Sequence, residues 1–517
     1  MIRFISKSIL LLIFLLFSPH FSSLYPSTTP IRISIPAGPT TFDPRQSRDL
    51  LTMDIVRLLF SGLTKLSHTG QVELDLASSI QPSKDGLCYQ ITLRQAQWSD
   101  ETPVTAHDFV YTWQTMLEKE RSSPSAFLLF WLKNGSKAYN AELSTKEVGV
   151  RAISDSHLEV VLEKPCPFFE QLLATPAFCA VQKEYAQSTK AFTEISSLPV
   201  SGPYRVEQWQ LQTGVQLVKN PRYWTKLDYP TLSFSVVDDA TALTMFNGGL
   251  FEWAGSPLGN LPTDCISSLQ QEDKLLIIPA AGTYFLSVNV KDPVLSDVRV
   301  RKALSLVIDR EGLVKYVLQG GQEVAHSLTP PCLLPKRHNS SYQDIEQAKT
   351  LLAAYCKEVG KSPGSLTITL SHKSLEKDAR TAQALQQDIQ THLGITVHLD
   401  TSDYKHFFSK VSSKNYELAF CSWFADYFDP HGFLAVFESA LNGTNNTNWE
   451  SPSYQALLQQ SSESVNSEKR KQRLYKLEDI LAAELPIIPL FHGCFNYVQE
   501  PTVTGVRISP LGHLVVN

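Results

Sequence analysis

Eight consecutive residues, Trp423-Phe424-Ala425-Asp426-Tyr427-Phe428-Asp429-Pro430, place two carboxylates among four aromatic rings directly after an apolar run, Glu417–Trp423. A carboxylate in such surroundings is costly to desolvate unless a cation meets it. If the run is a strand of an open α/β sheet, its carboxyl end is where ligands collect, and a ligand's ammonium group is a cation that Asp426 could receive. The same spacing also suits a carboxylate that caps the next helix or pairs with a nearby arginine or lysine, so the residues alone leave both roles open. Asp429, just before Pro430, reads as a turn or cap residue.

No other chemistry of comparable density is present. The chain has no GxSxG elbow, no HExxH, no Walker-type phosphate loop and no GxGxxG. Its 13 histidines do not cluster at ligand spacing, and His492 and Cys494 are two apart on a stretch that reads as a strand. Neither a metal nor a cofactor is expected, and the chain reads as a non-enzyme. A catalytic triad scattered along the chain keeps an exported hydrolase as the rival from another class. The 8 cysteines are scattered without a CxxC pair, which suits buried thiols with one or two disulfides. A formal net charge of -5 gives no basic footprint for nucleic acid.

The elements that must position Asp426 can be read around it. Ile31, Ile33 and Ile35 alternate with polar residues as a half-buried strand. Thr105 with Asp108 predicts a helix start, and Phe109, Trp113 and Leu117 then share one face. Tyr284–Val290 reads as a strand. Ser296 or Asp297 caps a helix with Val300, Ala303, Leu304, Val307 and Ile308 inward, and Asp309 restarts one that ends at Gly320 and Gly321. A strand at Leu366–Leu370, a helix through Leu385 and Ile389 to Gly394, a strand at Ile395–Leu399 and a short helix near Tyr404–Val411 lead to Glu417–Trp423. Strands alternating with helices predict an α/β domain. A long helix from Glu468 to Glu484 stops at Pro486, and two apolar stretches, Ile487–Phe491 and Phe495–Val498, close the chain. At 517 residues the chain exceeds the roughly 250–300 at which single cores stop growing, so two or three domains are expected. Arg3 and Lys7 ahead of an apolar run from Ile9 to Phe17 read as an export signal, too short to span a bilayer, and no cysteine precedes Cys88 for lipid attachment.

Several segments, in order, resemble the peptide/nickel-type extracellular solute-binding family, family 5. They are Arg94 through Trp98-Ser99-Asp100 and Thr102-Pro103 to Asp108-Phe109, then Ser201-Gly202-Pro203-Tyr204, Asn220-Pro221-Arg222-Tyr223-Trp224, Asp297-Val298-Arg299, the Trp423–Pro430 segment and Leu485-Pro486-Ile487-Ile488-Pro489. One departure is Glu101, where the family usually has glycine; a turn tolerates it if φ is negative.

The resemblance implies a two-lobed periplasmic binding protein fold of type II, cluster C, with an additional inserted domain. It divides the chain into a signal peptide (1–23), lobe I (24–60, 198–282 and 487–517), an inserted second domain (61–197) and lobe II (283–486). It further implies a periplasmic, monomeric receptor that binds short peptides in extended form between its lobes. The receptor delivers them to an inner-membrane ABC permease and its ATPase subunits, with no nucleic acid as partner. By the same resemblance Asp426 pairs with the peptide α-ammonium. The strand Ser422, Trp423 and Phe424 and the loop at Asp49 and Leu50 supply main-chain contacts, and Trp423, Tyr284 and Tyr404 form walls. The family's oligopeptide-binding members receive a ligand carboxylate with an arginine whose matching position here is Phe420, and longer peptides with a histidine that aligns with Glu376. A peptide of other length, a modified or glutathione-like peptide, a cell-wall peptide and a chelated metal therefore stay open as alternatives.

Overall fold

The computed structural model describes residues 30–516 except 189, 191, 336–342, 442 and 465; the expected export signal lies outside the described residues. No described helix is long and apolar enough to cross a membrane. Two long strands, Leu276–Val288 and Ile487–Gln499, form the spine and pair antiparallel from Leu276 against Tyr497 to Ser287 against Ile487. An eleven-stranded sheet is built on them. Beyond Ile487–Gln499 come Trp253–Gly255, Ile31–Ile35, Thr231–Val236, Gly214–Lys219 and Tyr204–Gln210; beyond Leu276–Val288 come Leu418–Phe424, Thr367–Lys373 and Thr396–Ser402; the eleventh, Glu323–Val324, pairs with Ile487–Gln499 at His492 and Phe491. Ile31–Ile35 has parallel neighbours on both sides; its three isoleucines, all on one face, are fully buried while Arg32 on the other face stays partly exposed, as the alternation predicts.

Three clusters hold this framework. One joins the first lobe to the inserted segment, where a four-stranded antiparallel sheet (Ala77–Pro82, Cys88–Leu93, His157–Val161, Val150–Ser154) is covered by the helix Ala106–Met116. That helix starts as the sequence predicts: the Thr105 N–H donates to Asp108 Oδ2 at 2.9 Å, and buried Trp113 donates from Nε1 to the Phe178 carbonyl at 3.2 Å. The other two clusters lie on opposite faces of the second lobe's sheet. Leu286, Phe420 and Phe491 face the helices Val298–Val307 and Glu376–Leu393, and Phe285 and Ile487 face Pro452–Ser462 and Ser467–Glu484. Phe285 and Leu286 part company because successive side chains leave a strand on opposite faces.

Four expectations are corrected. The strand expected at Tyr284–Val290 begins at Leu276, and the two closing apolar stretches are one continuous strand, Ile487–Gln499. His492 and Gly493 interrupt the apolar run, and the pairing is irregular beside Gly493: Cys494 faces Pro279 while His492 faces Thr283, whose hydroxyl bonds His492 Nδ1 at 2.9 Å. The 486/487 division therefore falls at the head of a strand whose Ile488, Leu490 and Phe491 pack with the second lobe. All eight cysteines are free thiols. Glu101 has φ +76°, the left-handed region that glycine fills without penalty, so the turn keeps the shape for which the family uses glycine.

A non-glycine residue there costs about 1–2 kcal/mol, partly offset by the smaller chain entropy it loses on folding. Its ion pair with Arg222 is exposed and contributes little. Glu101→Gly is therefore expected to stabilise the fold by about 0.5–1 kcal/mol in urea denaturation, while Glu101→Ala gives no gain; equal midpoints for both variants would contradict the strain argument.

Candidate functional site

The strand Leu418–Phe424 pairs along its length with Leu276–Val288: Leu418 faces Val288, Tyr284 faces Ser422 and Gly282 faces Phe424. On its other edge Thr367–Lys373 pairs with Leu418 and Ala419 and no further. From Phe420 onward no strand among the described residues pairs with that edge. The Ala425 N–H donates to the Ala281 carbonyl at 2.9 Å. In an antiparallel ladder main-chain groups alternate in direction, so Ser422 and Phe424 turn their N–H and C=O toward the open edge. An unpaired edge is a template for another extended chain.

Asp426 lies two residues beyond this edge. Its side chain reaches solvent, yet the protein around it is dense enough that desolvation pushes its pKa up from the ordinary carboxylate value, with no opposing cause. Accessible and desolvated at once describes a group on the wall of a cleft. Among the described residues no cation pairs with it and no N–H donates to it. Asp429 is the opposite case. It is buried, accepts from the His431 N–H at 2.8 Å, and holds Arg470 through two bonds of 2.6 and 2.9 Å. Asp429 is the turn residue of the turn-or-cap expectation, since Pro430 is the helix cap, and it has a charge partner the sequence did not reveal.

The loop between them is fixed from across the molecule. Tyr427 stacks on Phe168 of the inserted segment with ring centroids 5.1 Å apart and planes 8° apart, and its hydroxyl bonds His431 Nδ1 at 2.8 Å. Gly70, at φ +82°, lies beneath Phe428 so closely that a Cβ would come within 2.4 Å of the ring. Burial and the nearby cations Arg470 and Lys164 push the His431 pKa down to about 3, which keeps it neutral.

The predicted walls divide. Tyr284 and Phe424 share one face, edge to face at 5.9 Å, and the Phe424 ring covers Gly282, where a Cβ would come within 2.3 Å. Trp423 points to the other face and donates from Nε1 to the Gly432 carbonyl at 2.9 Å. Tyr404 follows the outermost strand, two strands away from Asp426's, and its exposed ring packs on Phe408. Asp49 caps the helix Leu50–Leu59, accepting from the Thr52 N–H at 2.8 Å, and Leu50 is exposed. Phe420 is buried against Tyr284, and Glu376 is exposed and paired with Arg380. Lys377, which the sequence did not single out, stands over the Tyr284 ring at 4.8 Å. Nothing in a single lysine on a helix face signals this; the signal is tertiary. No group of three or more metal-ligating side chains occurs among the described residues.

Two lobes sharing a pair of long strands, with an open strand edge and an unpaired carboxylate beside them, make a mixed α/β periplasmic binding protein with an inserted domain. More narrowly, the chain belongs to the bacterial extracellular solute-binding proteins of family 5, whose middle-region model matches residues 71–445. It is 32% identical over 498 residues to the oligopeptide-binding protein OppA of Bacillus subtilis, covering 94% of this chain and 91% of that one. It is 28% identical to the periplasmic murein peptide-binding protein MppA of Escherichia coli, covering 91% of this chain and 89% of that one. The unliganded open form of the murein tripeptide-binding protein MppA superposes with a TM-score of 0.82 at 26% identity, covering 95% of this chain and 98% of that one. The family consists of extracellular solute-binding proteins, and these relatives are peptide binders.

Removing Asp429 leaves the buried Arg470 guanidinium uncompensated, which costs about 3–5 kcal/mol. Asp429→Ala should therefore lower the urea midpoint strongly. Asp429→Asn keeps an acceptor for the His431 N–H and should lose less; an unchanged midpoint in both would show that the pair carries no stability.

Proposed function

We propose that the protein is an exported receptor that captures short peptides in extended form between its lobes and hands them to an inner-membrane ABC permease. The observation that carries this reading is the open edge at Ser422 and Phe424, followed two residues on by a carboxylate with no partner among the described residues. An extended peptide laid along that edge gains main-chain hydrogen bonds whatever its side chains are, as in strand addition. Its α-ammonium then reaches Asp426, where a charge-assisted bond contributes about 1.5–3 kcal/mol. Affinity from backbone and terminus allows a receptor to accept many sequences.

The division into lobe I, inserted domain and lobe II follows the same reading, with closure about the two long strands burying the guest. Of the expected contacts, Ser422, Phe424, Tyr284 and Asp426 form the contiguous set. Trp423 serves by fixing the strand's far face. Asp49 and Leu50 lie on the first lobe, with Leu50 free for contact. The likeness to murein peptide-binding proteins supports a second reading, a cell-wall peptide as guest. Native mass spectrometry of protein taken from cells separates the two: a ladder of peptides for the first, one discrete mass for the second.

Asp426→Ala is expected to weaken binding of a free-amine peptide by about 2–5 kcal/mol in calorimetry, and N-acetylation of the peptide should cost wild-type binding a similar amount. An acetylated peptide that binds equally well removes Asp426 from this role. The pH dependence has a definite sign. Asp426 must be ionised to meet an ammonium, and desolvation raises its pKa in the empty cleft. Affinity should therefore decline on acidification at a higher pH than an ordinary carboxylate, near 3.9, would give. The same raised pKa means that ionised Asp426 destabilises the empty fold at neutral pH, and this is relieved as pH falls. Asp426→Asn should thus raise the ligand-free thermal midpoint while weakening peptide binding; a lowered midpoint contradicts the assignment.

A further inference from the structure

A cavity of about 340 Å³ lies in the second lobe, outside the cleft. That volume falls in the range of ligand pockets, about 300–1,000 Å³, whereas close-packed interiors leave few voids larger than a water molecule. Three helices turn one face each toward it: Val298–Val307 with Lys302, Ser305 and Leu306, Ile345–Val359 with Leu351, and Ser467–Glu484 with Leu481. Ile487, at the head of the second long strand, closes it. Ile487 pairs with Ser287, and Phe424, at the Asp426 end of its own strand, pairs with Gly282. Gly282 and Ser287 lie about 17 Å apart along their strand, at about 3.4 Å per residue, so the cavity and the open edge are separate places.

The polar groups on this wall favour an anion. Ser305 is only 6% exposed; its hydroxyl oxygen accepts from Arg310 Nη2 at 3.0 Å, and among the described residues nothing accepts the hydroxyl's own proton. Arg310 is fixed in place, donating from Nε to the Pro489 carbonyl at 2.8 Å and from Nη1 to the Ser305 carbonyl at 2.9 Å. A hydroxyl that accepts from a guanidinium is polarised toward donating, so the partner it lacks is an acceptor. Lys302 precedes Ser305 by three residues on the same helix face. It is half-buried, and among the described residues no carboxylate lies within ion-pair reach of it. The carboxylate on the wall, Glu478, is engaged: it accepts from the Leu328 N–H at 3.1 Å and the Thr329 N–H at 2.8 Å, and burial raises its pKa. Beside this polar end, Leu306, Leu351, Leu481 and Ile487 present only apolar side chains.

We propose that this cavity is a second ligand site, independent of the peptide cleft, which takes a small aliphatic carboxylate. The carboxylate meets the Ser305 hydroxyl and the Lys302 ammonium, and the alkyl chain lies against Leu351, Leu481 and Ile487. Burial of the chain supplies affinity, and the charge-assisted bonds at the polar end distinguish the acid from an uncharged molecule of the same shape.

The test uses the mature chain, calorimetry with octanoate and with octanol, and crystals soaked in ω-bromooctanoate. Wild type is expected to bind octanoate saturably and about tenfold more tightly than octanol. Lys302→Met and Ser305→Ala should each narrow that preference by weakening octanoate while leaving octanol unchanged, and Lys302→Arg should keep it. Leu351→Trp fills the cavity and should abolish binding of both probes; the Lys302 and Ser305 variants keep the test decisive if that replacement does not fold. The bromine should appear between Leu351 and Leu481. An octanoate affinity no better than that of octanol overturns the proposal, as does a preference unchanged in both Lys302→Met and Ser305→Ala. Bromine found in the cleft beside Asp426 instead of in the cavity overturns it as well, and so does a wild type that binds no octanoate.

Discussion

A carboxylate pushed into a protein wall without a counter-charge is an unfavourable arrangement, and Asp426 is held in it by the strand that precedes it. Leu418–Phe424 is locked on one edge to Leu276–Val288 and free on the other beyond Ala419. The carboxylate therefore follows directly from an edge that has donors and acceptors but no neighbour. Each costs free energy, and under the proposed reading one extended guest with a charged amino end would meet both. Most of the surrounding structure can be understood as what keeps the open edge and the carboxylate side by side.

Three layers do this. Behind the strand, Tyr284 stacks on both Phe420 and Phe491, which packs the strand's inner face against its neighbours. Beyond it, Asp429 and Arg470 pin the start of the next helix through a buried pair, so the loop carrying Asp426 is anchored at both ends. From outside, Phe168 and Gly70 of the inserted segment press on Tyr427 and Phe428. The inserted segment shares a core with the first lobe, so these contacts connect the loop to the opposite side of the molecule. In a receptor that closes on its guest, such contacts link occupancy of the cleft to the relative position of the lobes.

The division of labour between neighbouring residues follows from the alternation of a strand. Ser422 and Phe424 face the open edge with their main chain. Trp423, between them, turns its ring to the far core, and its main chain binds Leu276–Val288. A segment rich in aromatic residues thus contains both wall and foundation, and the two are distinguished by parity rather than by residue type. The same argument separates Asp426 from Asp429: both follow the strand within a few residues, but one is capped and paired and the other is left open.

Local rules were enough for much of this chain. The capping box at Thr105 and Asp108, the Asp297 cap, the glycine end at Gly394 and the alternation of Ile31–Ile35 were legible because each depends on residues within a few positions of one another. The ordered set of family segments, spread over nearly the whole chain, implied the two-lobed architecture. Other features depended on partners hundreds of residues apart. Leu276–Val288 and Ile487–Gln499 are long because they pair with each other, and the apolar pattern of the second breaks at His492 and Gly493, where the ladder is irregular and Thr283 bonds His492. The left-handed turn at Glu101 was hidden because a backbone dihedral is not written in a side chain. Arg470 as Asp429's partner, the stack on Phe168 and the cation above Tyr284 came only with the tertiary structure. Charge pairing and burial are set by distance in space, and sequence spacing says nothing of it once the chain has turned back on itself.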